Sequence, residues 1–459
     1  MKVIRILFDN IFDEIVIPNA IPYELLDDYI TSARTGKLQD FRDRYLEKNN
    51  TTFPHQSYMN FFHINQCDVV SELDDNSNLD YFGSPGVEYI YYIGTSGNLS
   101  HGVNIHNIPN HVSYFDSIPL NILNYLRTKR NVYLMIDQMQ EGIFFNDCEK
   151  IYKDSIKYNI PFEKIIISSD MFNFDDIICE VEKKYNCNFN IKYFTFPWAI
   201  YQAAHLLKTS NQFVSDINLN KELKLLCLNR RLKESRVLLL SYLLSRGYDV
   251  NSLISFDTTL LENSDNIENI ISKNYEKINV SDGLSKMLDI GSIKLDVDDL
   301  NDGSALILDD ENLYERTLIS IVSETEVELD KLRFTEKSLK PILNYHPFII
   351  YGPINILKFL KYYGFKTFDE YIDESYDDID NKFDRAIHIF GLIDDIMKWD
   401  NDTSNKFIEN IKDILIYNRK LLNKFTYSNL VDEYHGNLLK LIEGEFNNRY
   451  HSIISTKTV

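Results

Sequence analysis

A chain of 459 residues, 44% hydrophobic and 25% charged, is long and apolar enough for two or three domains with substantial cores, which excludes a fibrous or disordered protein. Its 48 Lys+Arg against 69 Asp+Glu leave a formal charge of −21, which sets most of the surface against nucleic acid, because that binding draws on cations that displace counterions. DNA is therefore disfavoured but not excluded as a partner, and any anionic ligand must meet a local cluster of Lys and Arg.

Cys67, Cys148, Cys179, Cys187 and Cys227 are an odd set with no CxxC pair. They argue against structural zinc and against a disulfide framework, and they suit a reducing cytoplasm. Residues 1–10 lack a charged region followed by a long apolar one, and no run of 18 apolar residues follows, so neither a signal peptide nor a membrane span is expected.

In chain order, residues 2–8 read as a strand and residues 22–31 and 37–48 have helical spacing. Residues 87–93 form an aromatic strand that ends in Gly94-Thr95-Ser96-Gly97, a strand-end turn. His101, His106 and His111 recur at a spacing that shares no face of a helix or strand, so they read as loop residues and not as metal ligands. A strand at 131–136, a helix at 147–158 and a strand at 164–168 make a βαβ unit, hence a parallel sheet. Ligands of such sheets bind outside the carboxyl ends of the strands, where Asp137, Glu141, Ser169 and Asp170 fall. A helix at 175–184, a strand at 189–194 and a helix at 197–207 follow, then a polar linker at 208–221.

The second half opens with a strand at 223–228, the basic turn Asn229-Arg230-Arg231-Leu232-Lys233, a helix at 235–246 that includes Arg236, and a strand at 250–256. Arginine presents fork-shaped, permanently charged donors to phosphate oxygens. Asp296-x-Asp298 is a possible divalent-metal pair, but the stretch continues acidic and reads as a solvated loop. Next comes the apolar run 318–322, then Glu324-Thr325-Glu326, then Thr335-Glu336-Lys337 and the apolar run 347–352. Thr335 stands at an N-cap position, so the free N–H groups of the following helix, with Lys337 beside them, suit a phosphate. Glu336 can accept hydrogen bonds from a ribose. Helices are expected at 354–363, 382–399 and 405–422, with a terminal helical stretch at 423–449.

Phe334-Thr335-Glu336-Lys337, with the Pro-rich strand ending in Gly352, resembles the donor-binding signature of α1,3-fucosyltransferase-like glycosyltransferases. A longer ordered set is similar to uncharacterised glycosyltransferase-like proteins of large viruses and bacteriophages: residues 320–325, 334–341, 346–348, 364–368 and 373–377, with the Leu-Asn-Arg-Arg turn before them. The match covers roughly the second half of the chain.

The resemblance implies an α/β protein of the GT-B type, two Rossmann-like domains facing a central cleft with a helical C-terminal extension. The first domain (1–215) would hold the acceptor, the second (216–425) the nucleotide-sugar donor, and residues 426–459 would return to the first. The implied activity is glycosyl transfer of hexosyl or fucosyl type to a hydroxyl of a glycan, protein or small molecule, inverting and without a divalent metal. Asn229, Arg230, Arg231 and Arg236 would meet the diphosphate, Thr335 and Lys337 a phosphate, Glu336 the ribose, and Glu324 and Glu326 the sugar side. Inversion needs a base for the acceptor hydroxyl; Glu141 is the first choice and Asp137 the second, because both follow a central strand. The alternatives are a transferase acting on modified bases of viral DNA, which a basic face on the first domain would favour, a non-catalytic nucleotide-binding protein of the same fold, and a sugar epimerase.

Overall fold

Val132–Gln138 is apolar for most of its length without alternation, as a strand covered on both faces must be, and all its residues but Tyr133 are buried. In the computed structural model it is the fourth strand, β4, of a six-stranded sheet. The structure describes residues 3–7, 68–70, 87–94, 115, 118, 120–138, 142–209, 213–230, 232–260, 280–295, 312–328, 332–333 and 335–444. The chain divides into two compact units, Met1–Trp198 with Ser428–Val459, and Ala199–Tyr427. Among the described residues no helix is long and apolar enough to cross a membrane.

The first unit contains β1 (Val3–Leu7), β2 (Asp68–Val70), β3 (Val87–Gly94), β4, β5 (Ile165–Ser169) and β6 (Lys192–Thr195), ordered β2-β1-β3-β4-β5-β6. Every pairing is parallel. Helices α1 (Leu120–Thr128), α2 (Phe145–Tyr158) and α3 (Phe174–Tyr185) supply Ile122, Leu126, Cys148, Ile151, Ile177 and Val181 to a core shared with Val132, Leu134, Ile136, Ile165 and Ile167. Each such side chain contributes about 1.5–3 kcal/mol when fully buried. The expected βαβ unit is therefore present as β4, α2 and β5. Residues 189–191, read as strand, precede β6: the Phe189 side chain is buried in the core and its N–H donates to Glu182 Oε1 at 2.9 Å, so the sheet starts only at Lys192.

The second unit carries α4 (Trp198–Thr209), β7 (Leu223–Leu228), α5 (Glu234–Ser245), β8 (Ser252–Asp257), α6 (Ser281–Ile290), β9 (Ser292–Ile293), α7 (Asn312–Arg316), β10 (Thr317–Ser323), α8 (Glu336–Leu343), β11 (Phe348–Tyr351), α9 (Ile356–Tyr362), α10 (Lys382–Met397) and α11 (Asn401–Leu422). Helix α12 (Tyr427–Glu443) then passes to the first unit, where Leu441 O accepts from Lys192 Nζ at 3.2 Å. The sheet order is β11-β10-β7-β8-β9, parallel except for β8–β9. Gly247, with φ 70°, ends α5 and leads into a single 3-10 turn at Tyr248–Asn251. That turn leaves Val250 77% exposed and moves the start of β8 from the expected 250 to Ser252.

Helix α5 is buried along nearly its whole length. One side is sealed by α6, where Gly283 lies directly on the α5 backbone: a Cβ there would stand 1.7 Å from Ser241 O. A second tie is His346, fully buried between β10 and β11. Its Nδ1 meets Ser320 Oγ at 2.8 Å and its Nε2 meets Thr317 O at 2.9 Å. A carbonyl only accepts, so Nε2 carries the proton and Nδ1 accepts from the serine. Burial, aided by the charge of Lys221, pulls the imidazole down to about 3, against which its backbone hydrogen bonds act.

Gly283→Ala should destabilise the second unit by several kcal/mol, because backbone rather than a movable side chain occupies the space; a urea midpoint within experimental error of wild type would contradict the close packing. For His346 the folded-state value lies below the unfolded one, so its contribution is complete above about pH 6.5 and is lost as pH falls towards 3, by up to about 1.4 kcal/mol per pH unit. Asp377, raised by burial to about 6, acts in the opposite sense between about pH 6 and 4. The comparison of wild type with His346→Gln isolates the histidine: the variant's melting temperature should fall less steeply below pH 6.5, whereas parallel curves would remove His346 as an acid-labile group.

Candidate functional site

The chain leaves β7 for β8 on one side and β10 for β11 on the other, so strand order reverses between β7 and β10. Open α/β sheets bind ligands outside the carboxyl ends of strands at such a reversal. Here those ends are Leu228-Asn229 and Ser323-Glu324.

Asn229 is buried and held by its N–H, which donates to Ser255 O at 3.1 Å, and by its Nδ2, which lies 3.2 Å from Cys227 Sγ. Its Oδ1 and the Oγ of Ser323 are both buried without a hydrogen-bond partner among the described residues. Arg236, in the first turn of α5, is 4% exposed and reaches across to Ser323 O with Nη2 at 3.4 Å, a long contact. Lys233, at the N-cap of α5, pairs with Glu326 at 2.9 Å. Arg230 is exposed; Arg231 lies outside the described residues.

Glu324 organises the other side of this end. Its carboxylate accepts from Thr325 N (3.2 Å), Thr335 N (3.3 Å), Thr335 Oγ1 and Ser338 Oγ. Thr335 is the N-cap of α8, as expected, and its hydroxyl oxygen accepts from Lys337 N at 3.3 Å. A residue read as lining a sugar thus anchors a helix N-terminus to the strand before it. On the exposed side of that terminus Glu336 and Lys337 form an ion pair, with 23% and 27% of their side chains open to solvent. Burial alone would raise the Glu336 carboxyl, but Lys337 and then Lys340 outweigh it and hold it at about 2. A small cavity beside them is lined by Leu226, Leu228, Val322, Ser323, Lys337 and Lys340 among others.

The site therefore brings together Asn229, Arg236, Glu324, Glu326, Thr335, Glu336 and Lys337. Lys233, Lys340 and Arg385 join them without having been predicted as site residues. Lys233 belongs to the same basic turn, and Lys340 follows Lys337 by three residues, so both had a local signal. Arg385 had none: it comes from α10, 1% exposed, and donates to Val327 O at 2.6 Å, bracing the loop that carries Glu324 and Glu326.

The remaining pieces of the ordered pattern contact one another. Glu374 accepts from Thr367 Oγ1 and Phe368 N, both at 2.6 Å. The hydroxyl of Tyr376 accepts from Ile350 N at 3.3 Å. Asp377 accepts from Leu357 N and Lys358 N in the first turn of α9.

In the first unit, Asp137 is 3% exposed and accepts from Ser168 Oγ at 2.8 Å, at the carboxyl ends of β4 and β5. Glu141, Asp296, Asp298, His101, His106 and His111 lie outside the described residues. Among the described residues no three His, Cys, Asp or Glu side chains are placed to hold a metal ion.

No protein-family model matches the chain, and no curated protein matches it by sequence. Among solved structures it is similar to an α,α-trehalose-phosphate synthase (UDP-forming) from Burkholderia vietnamiensis, at 11% identity over 91% of this chain and 85% of that one, with a TM-score of 0.36. It is also similar to an α-glucosyltransferase in complex with UDP-glucose and DNA containing an abasic site, at 11% identity over 96% and 99% of the two chains, with a TM-score of 0.38.

Glu324→Ala should cost about 3 kcal/mol or more in chemical denaturation, since it strands buried donors that now share one carboxylate. Glu324→Gln should cost less, because both hydroxyl rotors can turn to accept from the new amide. Equal losses for the two variants would show that packing and not the hydrogen-bond network is what counts there.

Proposed function

We propose that the chain is a GT-B-type glycosyltransferase that moves a hexosyl or fucosyl group from a nucleotide-sugar donor to a hydroxyl acceptor, with inversion and without a divalent metal. One observation carries this reading. In a chain of charge −21, Lys233, Arg236 and Lys337 gather at the carboxyl ends of β7 and β10, where the strand order reverses.

The chemistry follows from those groups. Arg236 and the backbone N–H groups at the α8 terminus would take the diphosphate, with Arg230 at the exposed edge. Lys337 would turn from Glu336 to a phosphate oxygen. A partly exposed ion pair is worth about 0–1 kcal/mol, so that exchange is cheap. The released Glu336 carboxylate then accepts from ribose hydroxyls. As the glycosidic bond breaks, charge builds on the departing nucleoside diphosphate, and fixed cations stabilise it in place of a metal. We assign the acceptor's proton to a carboxylate of the first unit, Glu141 first and Asp137 second.

Calorimetry with GDP, UDP, CDP and ADP should find one nucleotide that binds equally with and without EDTA. Lys337→Ala and Arg230→Ala should each weaken that binding by about tenfold, as the loss of a charged hydrogen bond of about 1.5–3 kcal/mol requires. Unchanged affinity in both variants would sink the donor-site assignment. Glu141→Gln should bind donor normally and fail to transfer; retained turnover would pass the role of base to Asp137.

A further inference from the structure

The first unit of this acidic chain carries a concentrated cationic surface that the transferase reading does not use. Helix α1 ends at Thr128 and is followed at once by Lys129 and Arg130; these two and Arg127 are exposed. Arg127 Nε donates to Tyr158 O at 2.8 Å, which brings it to the end of α2, next to exposed Lys157. Lys164 Nζ donates to Lys129 O at 2.9 Å and also to Arg130 O, and sits 4.9 Å from the centre of the Tyr133 ring. Burial lowers the Lys164 ammonium below the usual lysine range; Glu163 and Glu88 oppose this, and Lys192 and Arg130 add to it.

The ends of two helices and the turns before β4 and β5 are thus locked into one surface. It lies at the amino ends of the strands, opposite Asp137 and Asp170. The acids that act on Lys164 are Glu163 and Glu88. Exposed Thr128 and Asn159 interleave hydrogen-bonding groups with the cations, the mixture that meets a phosphate backbone. A membrane-surface site would add a broad apolar component, whereas among the described residues α1 and α2 expose only Leu120 and Ile156 as large apolar side chains. An overall charge of −21 sets most of the surface against a polyanion, so a local cationic face orients such a partner as well as holding it.

We infer that this face of the first unit, built on Arg127, Lys129, Arg130 and Lys157 and braced from beneath by Lys164, is a docking surface for the phosphate backbone of duplex nucleic acid. It stands independently of the transferase reading, and it is a site for backbone phosphates only, with no base readout.

The experiment is fluorescence anisotropy of a short labelled DNA duplex with the full chain at rising salt, without any sugar nucleotide. Binding should weaken with a log–log slope of roughly −3 to −4, as expected for about four neutralised phosphates. Lys129→Glu/Arg130→Glu should weaken it by at least about tenfold at low salt, and Lys129→Gln/Arg130→Gln by less, with melting temperature and nucleotide affinity unchanged in both. Absence of duplex binding at low salt, or binding indifferent to both variants, overturns the proposal. So does binding to phosphatidylserine vesicles but not to duplex, which would make the face a membrane contact. Salt-sensitive self-association lost in the same variants, with no duplex binding, would overturn it in favour of a second copy's acidic surface.

Discussion

The second unit turns on one buried carboxylate. Glu324 directly follows strand β10 and accepts from Thr335 N, Thr335 Oγ1 and Ser338 Oγ at the start of α8. A charge so deeply buried is tolerable only because donors surround it. That arrangement leaves the helix no freedom to shift, and so the next two residues, Glu336 and Lys337, hold a defined place at the rim. The strand supplies the anchor, and the helix presents its positive end outward.

Around that anchor the site is a set of charges already paired within the protein: Lys337 with Glu336, Lys233 with Glu326, and Lys382 with Glu234 and Glu328. In an acidic chain these carboxylates occupy the cations. Because such pairs are weak where water reaches them, they position the cations without holding them tightly. Arg236 and Arg385 differ: buried and bonded to backbone carbonyls of Ser323 and Val327, they stiffen the loop between them.

The two units use their sheets differently. In the second, cations collect at the carboxyl ends of the strands. In the first, acids and hydroxyls collect there, Asp137 bonded to Ser168, and the cations lie at the amino ends. The first unit's parallel sheet thus has acids at one edge and cations at the other, which a net charge for the whole chain conceals.

Much of this was legible in sequence. The βαβ units, the N-cap role of Thr335 and the basic turn after β7 follow from local apolar pattern and residue chemistry, which depend on near neighbours. The ordered pattern from Ser320 to Asp377 was visible too, but its meaning was not. Ser320 and His346 bond to each other, as do Glu374 and Thr367; these motif residues, given no ligand role in the sequence reading, hold the scaffold. The sequence alone determined where strands, helices and charged turns would form. Only the tertiary structure decided that Glu324 faces inward to Thr335 and Ser338, that Arg385 braces the acidic loop, and that Arg127, Arg130 and Lys164 share one face. Those pairings join residues far apart in the chain, and a hydrogen bond or a shared electrostatic surface depends on distance in space.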